Sequence, residues 1–190
     1  MTNMEFFIDK GKNASEYSRW PIHEKSFDRG FSPIYLGQLT TCAVLDDGKS
    51  LARFLSVHGP FLYNGWKNTE SSNNVTLLEN AYNISSQLDG IQKNDLRIHV
   101  PKPHGLYLVR QQPFGSLHPS FVMDYIPNHF FNQDLDKQKE IIHNRDEILK
   151  VLENKHGFDT GPHSKDNSNF IYNSDLENIY LIGFGLWKRK

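Results

Sequence analysis

The chain has 190 residues and a formal net charge of −1 at pH 7. This length allows one domain with a sizeable core or two small lobes, and it excludes a full barrel enzyme. A pI near 6.7 leaves no broad basic field for nucleic acid. The single cysteine, Cys42, excludes an intrachain disulfide and a cysteine-based metal cage.

Targeting and membrane signals are missing from the sequence. The first apolar stretch covers only residues 6–8 and is far shorter than the apolar core of a secretory signal. No later run approaches the length that a bilayer requires. With 37% hydrophobic residues, the composition is that of a globular chain. We therefore expect a soluble protein that is cytoplasmic or delivered into a host cell, with no membrane span.

The first half of the chain predicts an irregular extension followed by strands and a helix. Residues 1–32 show no periodicity, and we expect them to drape over the domain. From Pro33 a β-meander is predicted, with strands at 34–36, 42–45 and 51–55 and an Asp-Gly turn at 46–48. A polar loop over 58–74 leads into a helix that stops at Gly90. Its apolar residues at helical spacing are Leu77, Leu78, Ala81, Ile84 and Leu88.

The second half predicts strands, a helix and a hairpin. Two strands are expected at 105–110 and 121–125, with a hinge near Pro127. A second helix is expected at 134–154, with Gly157 as its stop signal. A β-hairpin over 170–172 and 179–182 ends the series. The order of elements predicts an α+β protein in two parts.

Motifs near the end of the chain resemble those of the protein-kinase-like fold. There, a pattern His-Gly-Asp-x-x-x-x-Asn precedes a hairpin and an apolar run into Asp-Phe-Gly. Residues 162–169 stand at the first motif, and the Gly-Phe-Gly at 183–185 stands at the second. The resemblance is greatest to the compact bacterial type that includes aminoglycoside and lipopolysaccharide-core kinases.

Other motifs follow in the family order from residue 34 to residue 187. Residues 37–44 stand at the glycine-rich loop, of which only Gly37 keeps a glycine, and residues 121–127 resemble the gatekeeper and hinge. The resemblance implies three regions. Residues 1–32 form the extension, and 33–126 a lobe with a small antiparallel sheet, one main helix and the hinge. Residues 127–190 form a truncated helical lobe with a β-hairpin and the catalytic-loop-like segment.

The resemblance implies ATP-dependent phosphoryl transfer, but the residues that perform it are replaced. Arg53 stands where the family has lysine; it can still pair with Glu79, but its planar fork does not replace an ammonium. Ser164 stands at the catalytic aspartate and Gly183 at the metal-binding aspartate. Asn169 alone is an inadequate site for Mg²⁺, which prefers carboxylates. We therefore predict no catalytic residue and no metal site.

The adenine pocket implied by the resemblance is less altered. Two side chains would lie above the ring and one below it, with a gatekeeper and two hinge peptides beside it. The predicted set is Val44, Ala52, Met123, Asp124, Ile126 and Ile171. We expect no required cofactor and at most weak binding of an adenine nucleotide. Simple core packing of these residues remains an open alternative.

These observations predict a pseudokinase that acts by protein–protein interaction, as a decoy or an allosteric regulator. Few elements follow the second helix, so we expect later elements to cover its apolar face incompletely and either the N-terminal extension, a partner or a second copy to bind there. This face comprises Ile141, Ile148, Leu149 and Leu152. One alternative is an active, atypical phosphotransferase or kinase effector that uses Asp166 in a shifted register. Another is a structural domain with coincidental motifs.

Overall fold

The computed structural model describes residues 19–28, 34–36, 40–55, 72–113, 115, 117–184 and 187–190. The chain divides into two compact units. The first, here the sheet unit, comprises Met1–Glu79 and His104–Tyr125, and the second, here the helical unit, comprises Asn80–Pro103 and Ile126–Lys190. Residues 37–39 of the predicted glycine-rich loop (37–44) and most of the extension lie outside the described residues.

The sheet unit is built on six strands in the order β1-β5-β6-β4-β3-β2. Pairing of β2 with β3, β3 with β4 and β4 with β6 is antiparallel, which confirms the predicted meander. In the turn before β4, Asp47 Oδ1 accepts hydrogen bonds from the backbone N–H groups of Lys49 and Ser50. The strands are β1 (Ile22–Asp28), β2 (Ile34–Leu36), β3 (Thr40–Val44), β4 (Ser50–Leu55), β5 (Pro103–Gln112) and β6 (Leu117–Asp124).

The prediction of an irregular N-terminal extension is wrong for residues 22–28. These residues form β1, which lies parallel to β5. Phe27 on β1 is 1% exposed and stacks on Phe54 at 5.2 Å between ring centroids. Asp46 fixes the strand in place, because its carboxylate accepts a 2.8 Å hydrogen bond from Ser26 Oγ and its N–H donates to Ser26 O. β1 is therefore part of the sheet and its core.

Two helices contribute to the helical unit, the first of them only from Asn80 onward, because its start belongs to the sheet unit. Helix α1 (Ser72–Gln92) confirms the first predicted helix, although it starts earlier and runs past Gly90. Helix α2 (Leu135–His156) confirms the second. Asp134 caps α2 by accepting from two backbone N–H groups, and Gly157 ends it with a φ of +68°. The short strands of this unit are β7 (Phe158–Asp159), β8 (Phe170–Asn173), β9 (Asn178–Leu181) and β10 (Lys188–Arg189).

The apolar face of α2 is covered from within the chain, so the prediction of an incompletely covered face is wrong. Ile141, Leu149 and Leu152 are at most 2% exposed, and Ile148 is half-buried. The cover includes the β8–β9 hairpin, whose alternate residues point to one side. The core around Ile141 contains Phe130, Phe170, Tyr172 and Ile179. A short hairpin with aromatic residues is thus enough to cover this part of the helix.

Exposed apolar side chains occur elsewhere in the helical unit. Phe131 is 71% exposed and Leu135 is 73% exposed, at the start of α2, while Leu176 in the β8–β9 turn is 58% exposed. His129 and Ser174 connect these two segments, since His129 Nδ1 lies 2.8 Å from Ser174 Oγ. None of the helices in the described ranges is both long and apolar enough to span a membrane.

Candidate functional site

The pairing of β3, β4 and β6 determines which side chains share a face of the sheet. Cys42 lies opposite Arg53, and Val44 lies opposite Leu51. Because side chains alternate along a strand, all four point to the same side. β6 adds Phe121 and Met123, which pair with Arg53 and Leu51 respectively. We call this side the Arg53 face.

Ala52 lies on the opposite face, which corrects one member of the predicted adenine-binding set. It pairs with Ala43 and Val122 and belongs to the core that contains Phe27. Val44 and Ala52 therefore do not line one pocket. Leu51, two residues before Arg53, is the residue that shares a face with Val44. The sequence motif was placed one residue too late, and a shift of one residue reverses the face of a strand.

Arg53 makes its closest contact within the sheet. Its Nε donates to Thr40 Oγ1 at 2.9 Å. Burial lowers the pKa of the Arg53 guanidinium and raises the pKa of the Cys42 thiol opposite it. In the part of the chain that the structure describes, no ion pair joins Arg53 to Glu79. The pairing that the sequence allows is not formed here.

In the helical unit, Ser164, which the sequence analysis predicts at the position of the catalytic aspartate, is 3% exposed. Its Oγ lies 2.8 Å from Gly161 O and 3.2 Å from Thr160 Oγ1, and it can donate to either. Thr160 Oγ1 donates in turn to Glu153 Oε1 at 2.6 Å. The Ser164 hydroxyl is thus engaged by its own loop.

Asp166 and Asn169 lie within one turn of each other. Asp166 is exposed, and its carbonyl accepts a 3.0 Å hydrogen bond from the N–H of Asn169. The carbonyl of Asn169 accepts a 2.9 Å hydrogen bond from the N–H of Ile182, so Asn169 is next to Gly183. This segment contains the residues that the sequence predicts to be catalytic-loop-like, and their role stays a prediction.

Gly183 leaves no room for a side chain. Its φ is +85°, which favours glycine. A Cβ placed on it would lie 2.6 Å from Cγ and 3.0 Å from Cβ of Asn169, and closer still to Oδ1. In this arrangement, the amide of Asn169 occupies the space that an aspartate at position 183 would need.

Arg145 supports the catalytic-loop-like segment and was missed in the sequence analysis. It is 3% exposed, and its Nη1 donates to Lys165 O at 2.7 Å. Its guanidinium also lies 5.1 Å from the centre of the Phe170 ring and donates to Asp146 Oδ1. The signal was present, since Arg145 lies four residues from Ile141 and from Leu149 on the buried face of α2.

The segment after Gly183 is held by α1. Asn80 Nδ2 donates to Trp187 O at 2.9 Å and to Phe184 O at 3.3 Å. Phe184 and Trp187 are at most 2% exposed and meet edge to face at 5.1 Å. The segment continues into β10, which pairs with β7.

The other predicted adenine-binding residues are divided between the units. Met123 and Asp124 lie in the sheet unit, with Asp124 Oδ1 2.7 Å from His104 Nε2. Ile126 and Ile171 lie in the helical unit. A nucleotide site that would use both units stays a prediction. Within the described ranges, no three His, Cys, Asp or Glu side chains are grouped as ligands of a metal ion.

The comparisons with known proteins concern the fold. No family model and no curated protein matches the sequence. The medium-resolution structure of the bifunctional kinase-methyltransferase WbdD matches with a TM-score of 0.51 and 15% identity, over 80% of this chain and 30% of that chain. The structure of the Cydia pomonella granulovirus kinase PK-1 has a TM-score of 0.44 and 13% identity, over 93% of this chain and 57% of that chain.

This chain therefore spans less than two thirds of either protein. The likeness to WbdD, together with the order of strands and helices described above, identifies the architecture: the chain has a protein-kinase-like fold.

Proposed function

We propose that the chain is a catalytically inactive, kinase-like protein that acts by binding another protein, as a decoy or an allosteric regulator. The observation that carries this proposal is the contact between Gly183 and Asn169. The position that would supply a carboxylate to the metal has no side chain, and the neighbouring amide occupies its space.

The chemistry of phosphoryl transfer explains why this contact matters. Mg²⁺ keeps near-octahedral geometry and is held in proteins through carboxylates and phosphates. Asn169 offers only a neutral amide, and Ser164 offers a hydroxyl that is already bound to its own loop. A hydroxyl with an ordinary pKa does not take a proton from an acceptor alcohol as a carboxylate does. Both functions of the catalytic centre are therefore unsupported.

Weak, metal-independent binding of an adenine nucleotide remains part of the proposal, with no cofactor required. The Arg53 face offers apolar side chains for a purine ring, namely those of Val44, Leu51 and Met123. Protein binding is supported by the exposed apolar side chains of Phe131, Leu135 and Leu176. The segments that carry these side chains are linked by the contact between His129 and Ser174, and exposed apolar side chains on adjoining segments are typical of interaction surfaces.

Thermal-shift and phosphotransfer measurements test the proposal. ATP should raise the melting temperature little or not at all, and adding Mg²⁺ or Mn²⁺ should not increase the shift. No radiolabel should pass from ATP to the protein or to a general acceptor. Metal-dependent stabilisation with transfer that is abolished by Asp166→Ala, but not by the exposed control Asp175→Ala, would overturn it.

One observation favours the second candidate, an active phosphotransferase with a shifted register. Asp166 is exposed and lies within one turn of Asn169, so a carboxylate and an amide are near each other. The same pair of variants separates the two functions, because only an active enzyme would lose transfer when Asp166 alone is changed.

A further inference from the structure

The guanidinium of Arg53 has more N–H donors than acceptors among the described residues. It is half-buried on the Arg53 face, and its Nε donates to Thr40 Oγ1 at 2.9 Å. No carboxylate pairs with it in the described ranges of the chain. Arginine carries five N–H donors, so the two Nη groups keep theirs for another acceptor.

The described residues that pair with Arg53 on the neighbouring strands supply no negative charge. Cys42 lies directly opposite in the antiparallel pair, and burial raises the pKa of its thiol, which is therefore neutral at pH 7. Phe121, on the other side, is apolar and fully buried. A cation that has lost water without gaining an anion is costly, by several kcal/mol for a fully buried group. An anion that reached this face would offset the smaller cost that the half-buried guanidinium of Arg53 bears.

The planar geometry of the Arg53 guanidinium favours one kind of anion over another. Two Nη groups present parallel N–H donors to two oxygens of a planar group. A carboxylate has two oxygens and one charge, which match one guanidinium. A phosphate carries up to about two charges and three terminal oxygens, and the described neighbours of Arg53, which are Thr40, Cys42 and Phe121, supply no second cation for the excess charge. We propose that the Arg53 face binds a carboxylate through the two Nη groups of Arg53, without a metal ion.

Two sources supply this chemistry: a small organic acid, or the side chain of a glutamate or aspartate in a protein. The site lies wholly in the sheet unit and uses neither Ser164 nor Gly183. Its existence therefore does not depend on whether the chain transfers phosphate, and the two proposals fail independently.

Calorimetric titration in chloride buffer with EDTA tests the site. The probes are sodium acetate, sodium phosphate and a short peptide with one glutamate and blocked ends, with the glutamine peptide as its control. Acetate or the glutamate peptide should bind saturably in the millimolar range or better. Arg53→Lys should weaken binding about tenfold, because an ammonium lacks the planar fork, and Arg53→Met should abolish it.

Arg110→Met is the matched control, since Arg110 is also half-buried in the sheet and bonds only weakly to Gly115 O at 3.4 Å. It should bind as the unmodified protein does. A peptide that binds more tightly than acetate assigns the site to a protein partner, and the reverse assigns it to a small acid.

Four results would overturn the proposal. These are no saturable binding of either carboxylate, undiminished binding by a folded Arg53→Met variant, phosphate binding tighter than acetate, and about tenfold tighter acetate binding by Glu79→Gln. The last would show that Glu79 fills the fork in solution. If Arg53→Met fails to fold, the Arg53→Lys and Glu79→Gln titrations still decide the question.

Discussion

Adding a single carbon at Gly183 tests the contact on which the proposed inactivity depends. In Gly183→Ala the new Cβ would meet Asn169 at 2.6 Å from Cγ and 3.0 Å from Cβ. Overpacking in a tight site costs about 1–3 kcal/mol. An L-residue held at a φ of +85° adds about 1 kcal/mol. The free energy of unfolding should therefore fall by roughly 2–4 kcal/mol.

Urea denaturation of a double-mutant cycle separates these two costs. Asn169→Ala removes Cγ and Oδ1 and leaves only the 3.0 Å contact with Cβ, so Gly183→Ala should cost only about 1–2 kcal/mol in that background. The coupling between the two sites should be at least about 1 kcal/mol. If Gly183→Ala is as stable as the unmodified protein, or if the two effects simply add, Asn169 does not occupy the space that we describe. A separate measurement concerns Gly183→Asp. This variant should show no Mg²⁺-dependent binding of ATP unless Asn169 is also changed, because the Asn169 amide occupies the space of the new side chain.

Three further predictions follow from the buried contacts. Arg145→Met should lower the free energy of unfolding by about 3 kcal/mol or more in urea, because it leaves Asp146 and the carbonyl of Lys165 without their donor; an effect no larger than that of the exposed control Lys150→Met would refute this role. Phe27→Ala should cost about 3–5 kcal/mol, because Phe27 is 1% exposed against Phe54; a loss below about 1 kcal/mol would mean that β1 is not part of the core. The hydrogen bonds from Arg97, with help from Lys155, hold the pKa of Asp95 well below its usual range. The stability that Asp95 contributes is therefore complete above about pH 4 and is lost as the pH falls further. Asp95→Asn should be less stable than the unmodified protein at neutral pH, and the difference should shrink in acid; a difference that does not change with pH would contradict the assignment.

Local sequence signals were sufficient for the elements that form from neighbouring residues. Helix α2 has its apolar periodicity, the cap at Asp134 and the stop at Gly157 within a single stretch of chain. The β8–β9 hairpin, which follows Asn169, was also predicted from its own residues. The order of kinase-like motifs also predicted how the strands are arranged. Local signals cannot predict this arrangement, because it depends on pairing between strands that are distant in the sequence.

The errors concern contacts between residues that are distant in the sequence. Strand β1 was missed because only one of its residues, Phe27, is buried, and its partner strand is β5. Ala52 was wrongly included in the adenine-binding set because its face depends on the pairing of β4 with β3 and β6, and a shift of one residue along a strand reverses the face. The cover over α2 was missed because the aromatic residues that supply it belong to a hairpin that follows the helix. Arg145 was missed because the burial of a cation depends on the loop that receives its hydrogen bonds.

The parallel pairing of β1 with β5 also affects how the protein can be made. Ile22 pairs with Leu108, so β1 leaves the ribosome long before its partner strand is synthesised. At ordinary rates of translation the interval is on the order of ten seconds. During that time Phe27 lacks Val109 and Val122, with which it shares a core. Strand β1 is therefore synthesised before β5 but can form its native pairing only after β5 has been made. Until then, the nascent chain has to keep the Phe27 side chain out of non-native contacts.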